Sequence, residues 1–177
     1  MGAGRIRHAG KGETVIGPAG RGGSAAHELA ASLNKAGFET RLVDSVEELI
    51  WGKLIINVGI NALTAVVRVK NGRIAALQCI RRVMEDAVSE ALHVAEAKGI
   101  RLPYEKPFER VLSVCKATKD NVSSMLQDVL KGKRTEIEMI NGAITREGES
   151  LGIPTPVNKI LACLVQGIQE TYPDRVQ

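Results

Sequence analysis

The chain has 177 residues, 44% of them hydrophobic and 25% charged, which is the composition of one soluble globular domain with room for a short appendage. Aromatic residues are only 3%, which excludes an aromatic-rich β-sandwich or a base-stacking nucleic-acid platform and leaves the core to Leu, Ile, Val, Ala and Met. The net charge of +4 is spread without a block of one sign, so no nucleic-acid partner is expected. No apolar run reads as a membrane span and the N-terminus lacks a signal-peptide pattern, so the expectation is a cytoplasmic protein with no membrane role. The three cysteines, Cys79, Cys115 and Cys163, are far apart, and no C-x-x-C or His/Cys cluster accompanies them. No metal site is expected, and the thiols read as buried and reduced.

Residues 1–23 hold eight of the 18 glycines. Within them Thr14-Val15-Ile16 is a short strand, and Gly17-Pro18 and Gly20-Arg21-Gly22-Gly23 are breakers. Ser24 is placed to cap a helix running to about Lys35, with Gly37 at its C-terminal end. Phe38 to Val43 alternates apolar and polar and reads as a second strand. Strand, helix and strand are too little for a sheet with its own core, so residues 1–44 read as the edge of something larger.

From Ser45 the pattern is helical throughout. Ser45 with Glu48 has the spacing of a capping box opening a long helix to about Val69, with Asn71-Gly72 as its stop. A second helix is expected from about Ile80 to Lys98, closed by Gly99. A third covers roughly Phe108 to Cys115, and a short one lies near Ser124 to Leu130. Thr135 to Leu151 carries a helical stripe of Ile137, Ile140, Ile144 and Leu151, closed by Gly152. Thr155-Pro156 then reads as an N-cap with proline in the first turn of a last helix to about Gln169. Residues 45–177 are therefore expected to form one all-helical domain.

The first long helix is apolar nearly all round from Leu54 to Val66, as a helix buried on most sides would be. Yet Lys53, Asn57 and Asn61 recur every four residues and share one stripe. An unpaired ammonium and two carboxamides in a dry interior would cost on the order of a few kcal/mol each. The stripe must face water, a partner or a polar cleft. A cleft lined by a cation and two amides suits a small anionic or carbonyl-bearing ligand. A second polar cluster runs Asn121 to Asp128 and Thr135 to Gly142. Singly, its members have structural explanations: Ser124 as a cap, Glu136 as a first-turn carboxylate. Together with the stripe they supply a cation, a carboxylic acid, a hydroxyl and several amides, the parts for binding a hydroxy- or keto-acid and passing it a proton.

These blocks resemble the ketopantoate reductase family. The tokens are Trp51-x-Lys53-Leu54-x-x-Asn57-x-x-x-Asn61-x-Leu63-Thr64-Ala65, Asn71-Gly72, Ser123-Ser124-Met125-Leu126-Gln127-Asp128 and Thr135-Glu136-Ile137-x-x-Ile140-Asn141-Gly142. Gly152-Ile153-x-Thr155-Pro156-x-Asn158 fits as well, and Gly10-x-Gly12, Ile16-Gly17 and Ala36-Gly37-Phe38 resemble the run that closes the family's nucleotide-binding domain. The resemblance implies a mainly α fold. Its helical domain is of the ketopantoate reductase / 6-phosphogluconate dehydrogenase C-terminal-like type, preceded by a short α/β remnant of a Rossmann domain. It implies NADPH-dependent reduction of ketopantoate to pantoate, a step of pantothenate and coenzyme A biosynthesis. By resemblance Lys53 is the general acid, Asn57 and Asn61 hold the substrate's hydroxyl and carbonyl groups, and Ser124 binds its carboxylate. Glu136, catalytic with Lys53, contacts the cofactor's ribose side or the substrate and keeps Lys53 oriented and charged, and Asn71 has a supporting role. A small keto acid is the implied ligand and a homodimer the possible assembly.

The family's G-x-G-x-x-G after a first strand has no counterpart here, because Gly17-Pro18-Ala19-Gly20-Arg21-Gly22-Gly23 has the wrong spacing and its proline removes a backbone donor. The chain therefore reads as the substrate half of a longer reductase, inactive alone. Two alternatives stand beside it: a standalone helical module for dimerisation or small-acid binding, and a reductase of another branched 2-keto acid.

Overall fold

A computed structural model describes residues 4–6, 10–17 and 23–174. The chain divides into two compact units, Met1–Glu47 and Glu48–Gln177. In the first, strand β1 (Thr14–Ile16), helix α1 (Gly23–Lys35) and strand β2 (Thr40–Leu42) make a β-α-β unit. The strands pair in parallel, with Thr14 opposite Thr40 and Ile16 opposite Leu42. Asn34 ties the end of α1 to β2. Its Nδ2 donates to the Thr40 carbonyl at 2.9 Å, and its Oδ1 accepts from the Thr40 N–H at 3.0 Å. Gly37 takes a φ of 86°, the left-handed turn that stops the helix. Among the described side chains of this unit only Ala30 is buried, while Leu29 and Phe38 are more than half exposed. The breakers expected over Pro18–Gly22 and the side chain of Ser24 lie outside the described residues.

The second unit is helical: α2 (Glu47–Val67), α3 (Asn71–Ala76), α4 (Gln78–Ala97), α5 (Pro107–Ala117), α6 (Ser124–Leu130), α7 (Asn141–Leu151) and α8 (Pro156–Glu170). Each helix contributes to one aliphatic core that includes Ile55, Val58, Ile74, Met84, Val88, Val111, Val129, Ile144 and Val165. A methyl at Gly59 would lie 2.8 Å from Val111 Cγ1 and 3.0 Å from Val88 Cγ2, so the missing side chain lets α4 and α5 seat closely on α2. Helix α2 is in fact long and apolar enough, by length and composition, to cross a membrane, contrary to the sequence expectation. Its apolar residues are instead buried inside this unit, from Ile55 and Val58 to Ala62 and Ala65.

Several local expectations are corrected by longer-range partners. Ser45 accepts from the Glu47 N–H at 3.2 Å, a turn before the helix rather than a reciprocal box with Glu48. Helix α2 stops at Val67 because Arg68 adopts a φ of 59°. Asn71-Gly72 then opens α3 rather than closing α2. The first N–H groups of α3 donate to the loop after α5, Asn71 to the Asn121 carbonyl at 3.0 Å and Gly72 to that of Lys119 at 3.2 Å. The continuous helix expected from Thr135 is a 3-10 turn, Ile137–Met139, and a separate α7, divided at Ile140 with φ −108° and ψ −92°. At α6 the cap is Ser123, which accepts from the Leu126 N–H at 3.1 Å, and not Ser124. Thr155 precedes α8 but makes no side-chain cap bond. Only Cys115 of the three thiols is buried; Cys79 and Cys163 are exposed, and all are free.

Candidate active site

Helix α2 places the polar stripe along a gradient of burial. Lys53 is exposed, Asn57 half-buried, and Asn61 only 6% exposed. Among the described residues neither asparagine carboxamide makes a hydrogen bond within the chain. Their donors and acceptors are left for water or a ligand, which is how a recognition surface differs from a satisfied core amide.

One turn beyond Asn61 the stripe reaches Thr64, wholly buried. Its hydroxyl shares a hydrogen bond with the Ser123 hydroxyl at 2.7 Å. Ser123 also caps α6. This buried hydroxyl pair fixes the start of α6 to α2; Ser124, the next residue, is exposed. Sequence reasoning named Ser124 and quoted Thr64 and Ser123 without assigning them. Their signal, two small hydroxyl residues flanking apolar runs, is shared by any pair of caps and becomes specific only when they meet.

The other two candidate residues are placed differently. Asn71 is buried and structural on one side. Its Nδ2 donates to the Thr118 hydroxyl at 3.0 Å, while its Oδ1 is buried with no partner. Glu136 is exposed; its backbone carbonyl accepts from the Met139 and Ile140 N–H groups at 2.9 and 3.1 Å, while among the described residues its carboxylate makes no hydrogen bond or ion pair. Its neighbour Glu138 is engaged: Arg146 Nη1 lies 3.2 Å from Glu138 Oε2, and Gln166 Nε2 donates to Glu138 Oε1. Among the described residues the α2 stripe is joined to the start of α6 through Thr64 and Ser123, and no bond runs to the stripe from Ser124, Asn71 or Glu136.

The turn of α2 that carries Lys53 is held from outside by the loop before α5. Tyr104 donates its hydroxyl hydrogen to the Gly52 carbonyl at 2.7 Å. A methyl at Gly52 would lie 2.8 Å from Pro103 Cγ, so glycine is needed for that approach. Burial raises the Tyr104 phenol above its ordinary value, and the nearby positive charge of Arg110 partly offsets the rise. Lys53, Tyr104 and Arg110, with Leu49, Gly52, Ile56 and Pro103, line one cleft of about 500 Å³. Nothing in the sequence marks Tyr104 or Arg110, because only packing of the loop on α2 gives them a shared position.

The described residues offer no phosphate cradle for a dinucleotide. Gly17, which follows β1, is packed: a methyl there would lie 2.7 Å from Val46 Cγ1 and 3.0 Å from the Val43 carbonyl oxygen. Among the described residues no group of His, Cys, Asp and Glu could hold a metal ion.

Comparison with known proteins gives a consistent picture. The family model described as "Ketopantoate reductase PanE/ApbA C terminal" matches residues 45–169. A curated 2-dehydropantoate 2-reductase of Halobacterium salinarum is 40% identical over 164 residues, 92% of this chain and 54% of the relative. The solved PanE/ApbA family ketopantoate reductase of Ralstonia eutropha JMP134 superposes with a TM-score of 0.85 at 37% identity, covering 93% of this chain and 54% of that one. A D-mandelate dehydrogenase solved with NADH and anilino(oxo)acetate superposes with a TM-score of 0.79 at 28% identity, covering 92% of this chain and 68% of that one. The chain thus spans about half the length of the curated relatives it matches.

Proposed function

Because the chain belongs to the ketopantoate reductase PanE/ApbA family through its C-terminal domain, we propose that it carries the substrate half of a 2-dehydropantoate 2-reductase. In this reading residues 1–44 are the end of the nucleotide-binding domain and residues 45–177 the substrate domain. The observation that carries it is the α2 stripe, in which the cation is exposed, Asn61 is nearly buried, and both carboxamides lack partners among the described residues.

When a ketone is reduced its oxygen gains a proton. Lys53 is the donor, an ammonium at the open end of the stripe. Asn57 and Asn61 hold the substrate's hydroxyl and carbonyl oxygens, and their orientation is set by the rigid, buried helix behind them. Ser124 reaches the carboxylate. Asn71 supports the site by holding α3 on the loop that leads to α6. Glu136 contacts the cofactor or the substrate and orients Lys53 in this reading.

A nicotinamide cofactor is the reductant in this reading, with NADPH taken from the family resemblance; the similar D-mandelate dehydrogenase was solved with NADH. With Gly17 packed against Val43 and Val46, the described residues form no phosphate site for the cofactor, and the part read for this domain is to bind, orient and protonate the substrate. The D-mandelate dehydrogenase likeness supports 2-oxo acids as the substrate class, with ketopantoate favoured by the family match.

Calorimetric titration of the 177-residue chain with ketopantoate tests this reading. Saturable binding is expected, weakened at least tenfold by Asn61→Ala. Equal binding by wild type and Asn61→Ala would refute the assignment of the stripe.

A further inference from the structure

Thr64 and Ser123 stand 59 positions apart, and their hydroxyl oxygens meet at 2.7 Å in the interior. Each has a local task that does not need the other. The Thr64 hydroxyl lies 3.0 Å from the Ile60 carbonyl and 2.9 Å from that of Asn61, on its own helix. Ser123 accepts from the Leu126 N–H at 3.1 Å and so caps α6. An apolar side chain of the same shape at 64 would avoid burying a hydroxyl at this wholly covered position. What local structure does not require is the bond between the two. The hydrogens can be placed so that every donor is used: the Leu126 N–H on Ser123 Oγ, the Ser123 hydroxyl on Thr64 Oγ1, and the Thr64 hydroxyl on the Asn61 carbonyl. This line of three bonds runs from the backbone of Asn61 to the first turn of α6, which Ser124 opens. The loop into α6 is held separately to α3, by the Asn71 and Gly72 N–H groups on the carbonyls of Asn121 and Lys119.

We propose that Thr64 and Ser123 are positioning residues of the substrate site, their hydroxyl bond fixing the separation between Asn61 on α2 and Ser124 on α6. This rests on the reading in which Asn61 takes an oxygen of a small 2-oxo acid and Ser124 its carboxylate. Thr64 and Ser123 are themselves covered, and they act through those two neighbours rather than on the ligand. Contacts to one small ligand from two helices reinforce each other only when the helices keep one spacing. Apolar packing is non-directional and holds that spacing loosely. A hydrogen bond between two short side chains has a set length and direction, and the β-branched Thr64 is restricted about its first torsion.

The test is calorimetric titration of the 177-residue chain with ketopantoate, comparing wild type with Thr64→Val, Thr64→Ser, Ser123→Ala, Ser124→Ala, Asn61→Ala and the double variant Thr64→Val/Ser124→Ala. Circular dichroism at 222 nm checks that each is folded at the titration temperature, and Ser123→Ala removes the same bond from the other side should Thr64→Val not fold. Thr64→Val is expected to raise Kd about tenfold, and Thr64→Ser, which keeps the hydroxyl, by no more than about twofold. With Ser124 already replaced, Thr64→Val should add no more than about twofold, because the contact it positions is gone. The same tenfold loss in both backgrounds would mean a general loosening of α2 and would overturn the proposal. Loss on Asn61→Ala with none on Thr64→Val or Ser123→Ala would overturn it and leave the substrate reading standing. Absence of binding by the wild-type chain, or equal binding by wild type, Asn61→Ala and Ser124→Ala, would refute that reading and this proposal together.

Discussion

Glu90 is the residue whose replacement the structure prices most directly. It sits on α4, 67 positions from the helix end it serves. Its Oε1 accepts from the Val157 N–H at 2.8 Å. Its Oε2 accepts from the Asn158 N–H at 2.9 Å and from Asn158 Nδ2 at 2.7 Å. Pro156 has no N–H, so these are the first free donors of α8, and the carboxylate meets them at the positive end of the helix dipole. Asn158 Nδ2 also donates to the Ala87 carbonyl at 2.9 Å, and Asn158 Oδ1 accepts from Asn141 Nδ2 at 2.9 Å. One carboxylate thus ties α4 and α8 together, with α7 joined through Asn141.

Glu90→Gln keeps the shape and removes the charge. The lost helix-terminus interaction is worth about 0.3–1 kcal/mol, and up to about 2 when partly buried. The amide nitrogen must also face at least one N–H donor, leaving it unsatisfied at about 1–3 kcal/mol. The sum is roughly 2–4 kcal/mol. At about 2–4 °C per kcal/mol for a chain of this size, Tm should fall by roughly 5–15 °C. Thermal melts followed at 222 nm measure it. The exposed Glu85 on the same helix makes no side-chain bond among the described residues, so Glu85→Gln should shift stability by under about 0.5 kcal/mol. Equal melting of the two variants would refute the cross-helix cap.

Two further perturbations follow from close packing. Gly72→Ala would put a methyl 2.6 Å from Lys119 Cβ and 2.9 Å from its Cα. Because backbone must move, both α3 hydrogen bonds to the 119–121 loop are strained, and urea unfolding should show a loss of about 1–3 kcal/mol; an unchanged midpoint would count against that approach. Burial pushes the Cys115 thiol from 9.0 to about 11. Its folded value lies above its unfolded one, so the stability it contributes is complete below pH 9.0 and is lost as pH rises toward 11. Iodoacetamide at pH 8 should therefore alkylate Cys79 and Cys163 in the native chain, and all three cysteines only in urea, as counted by mass spectrometry; rapid native labelling of Cys115 would contradict its burial.

Much of the helical domain was legible because its signals are local. Gly99 and Gly152, with φ of 70° and 69°, stop α4 and α7 where glycine alone avoids a steric penalty. Pro107 and Pro156 start α5 and α8 because a first-turn residue needs no N–H. The misreadings share one cause. Asn71-Gly72 looked like a stop until the carbonyls of Lys119 and Asn121 supplied partners for the start of α3. Thr155 looked like a cap until Glu90 took the bonds. The apolar length of α2 was underrated because burial, not length, gives it its role.

The periodicity of Lys53, Asn57 and Asn61 by itself determined that one polar stripe runs along an otherwise apolar helix, since side-chain direction on a helix is set by spacing alone. Tertiary structure decided the rest. It graded the stripe from exposed Lys53 to nearly buried Asn61, brought Ser123 to Thr64, and gave Lys53 and Tyr104 a shared cleft. Those relations join residues far apart in the chain. They exist only where the aliphatic core packs one helix against another, and no local pattern records which surfaces will meet.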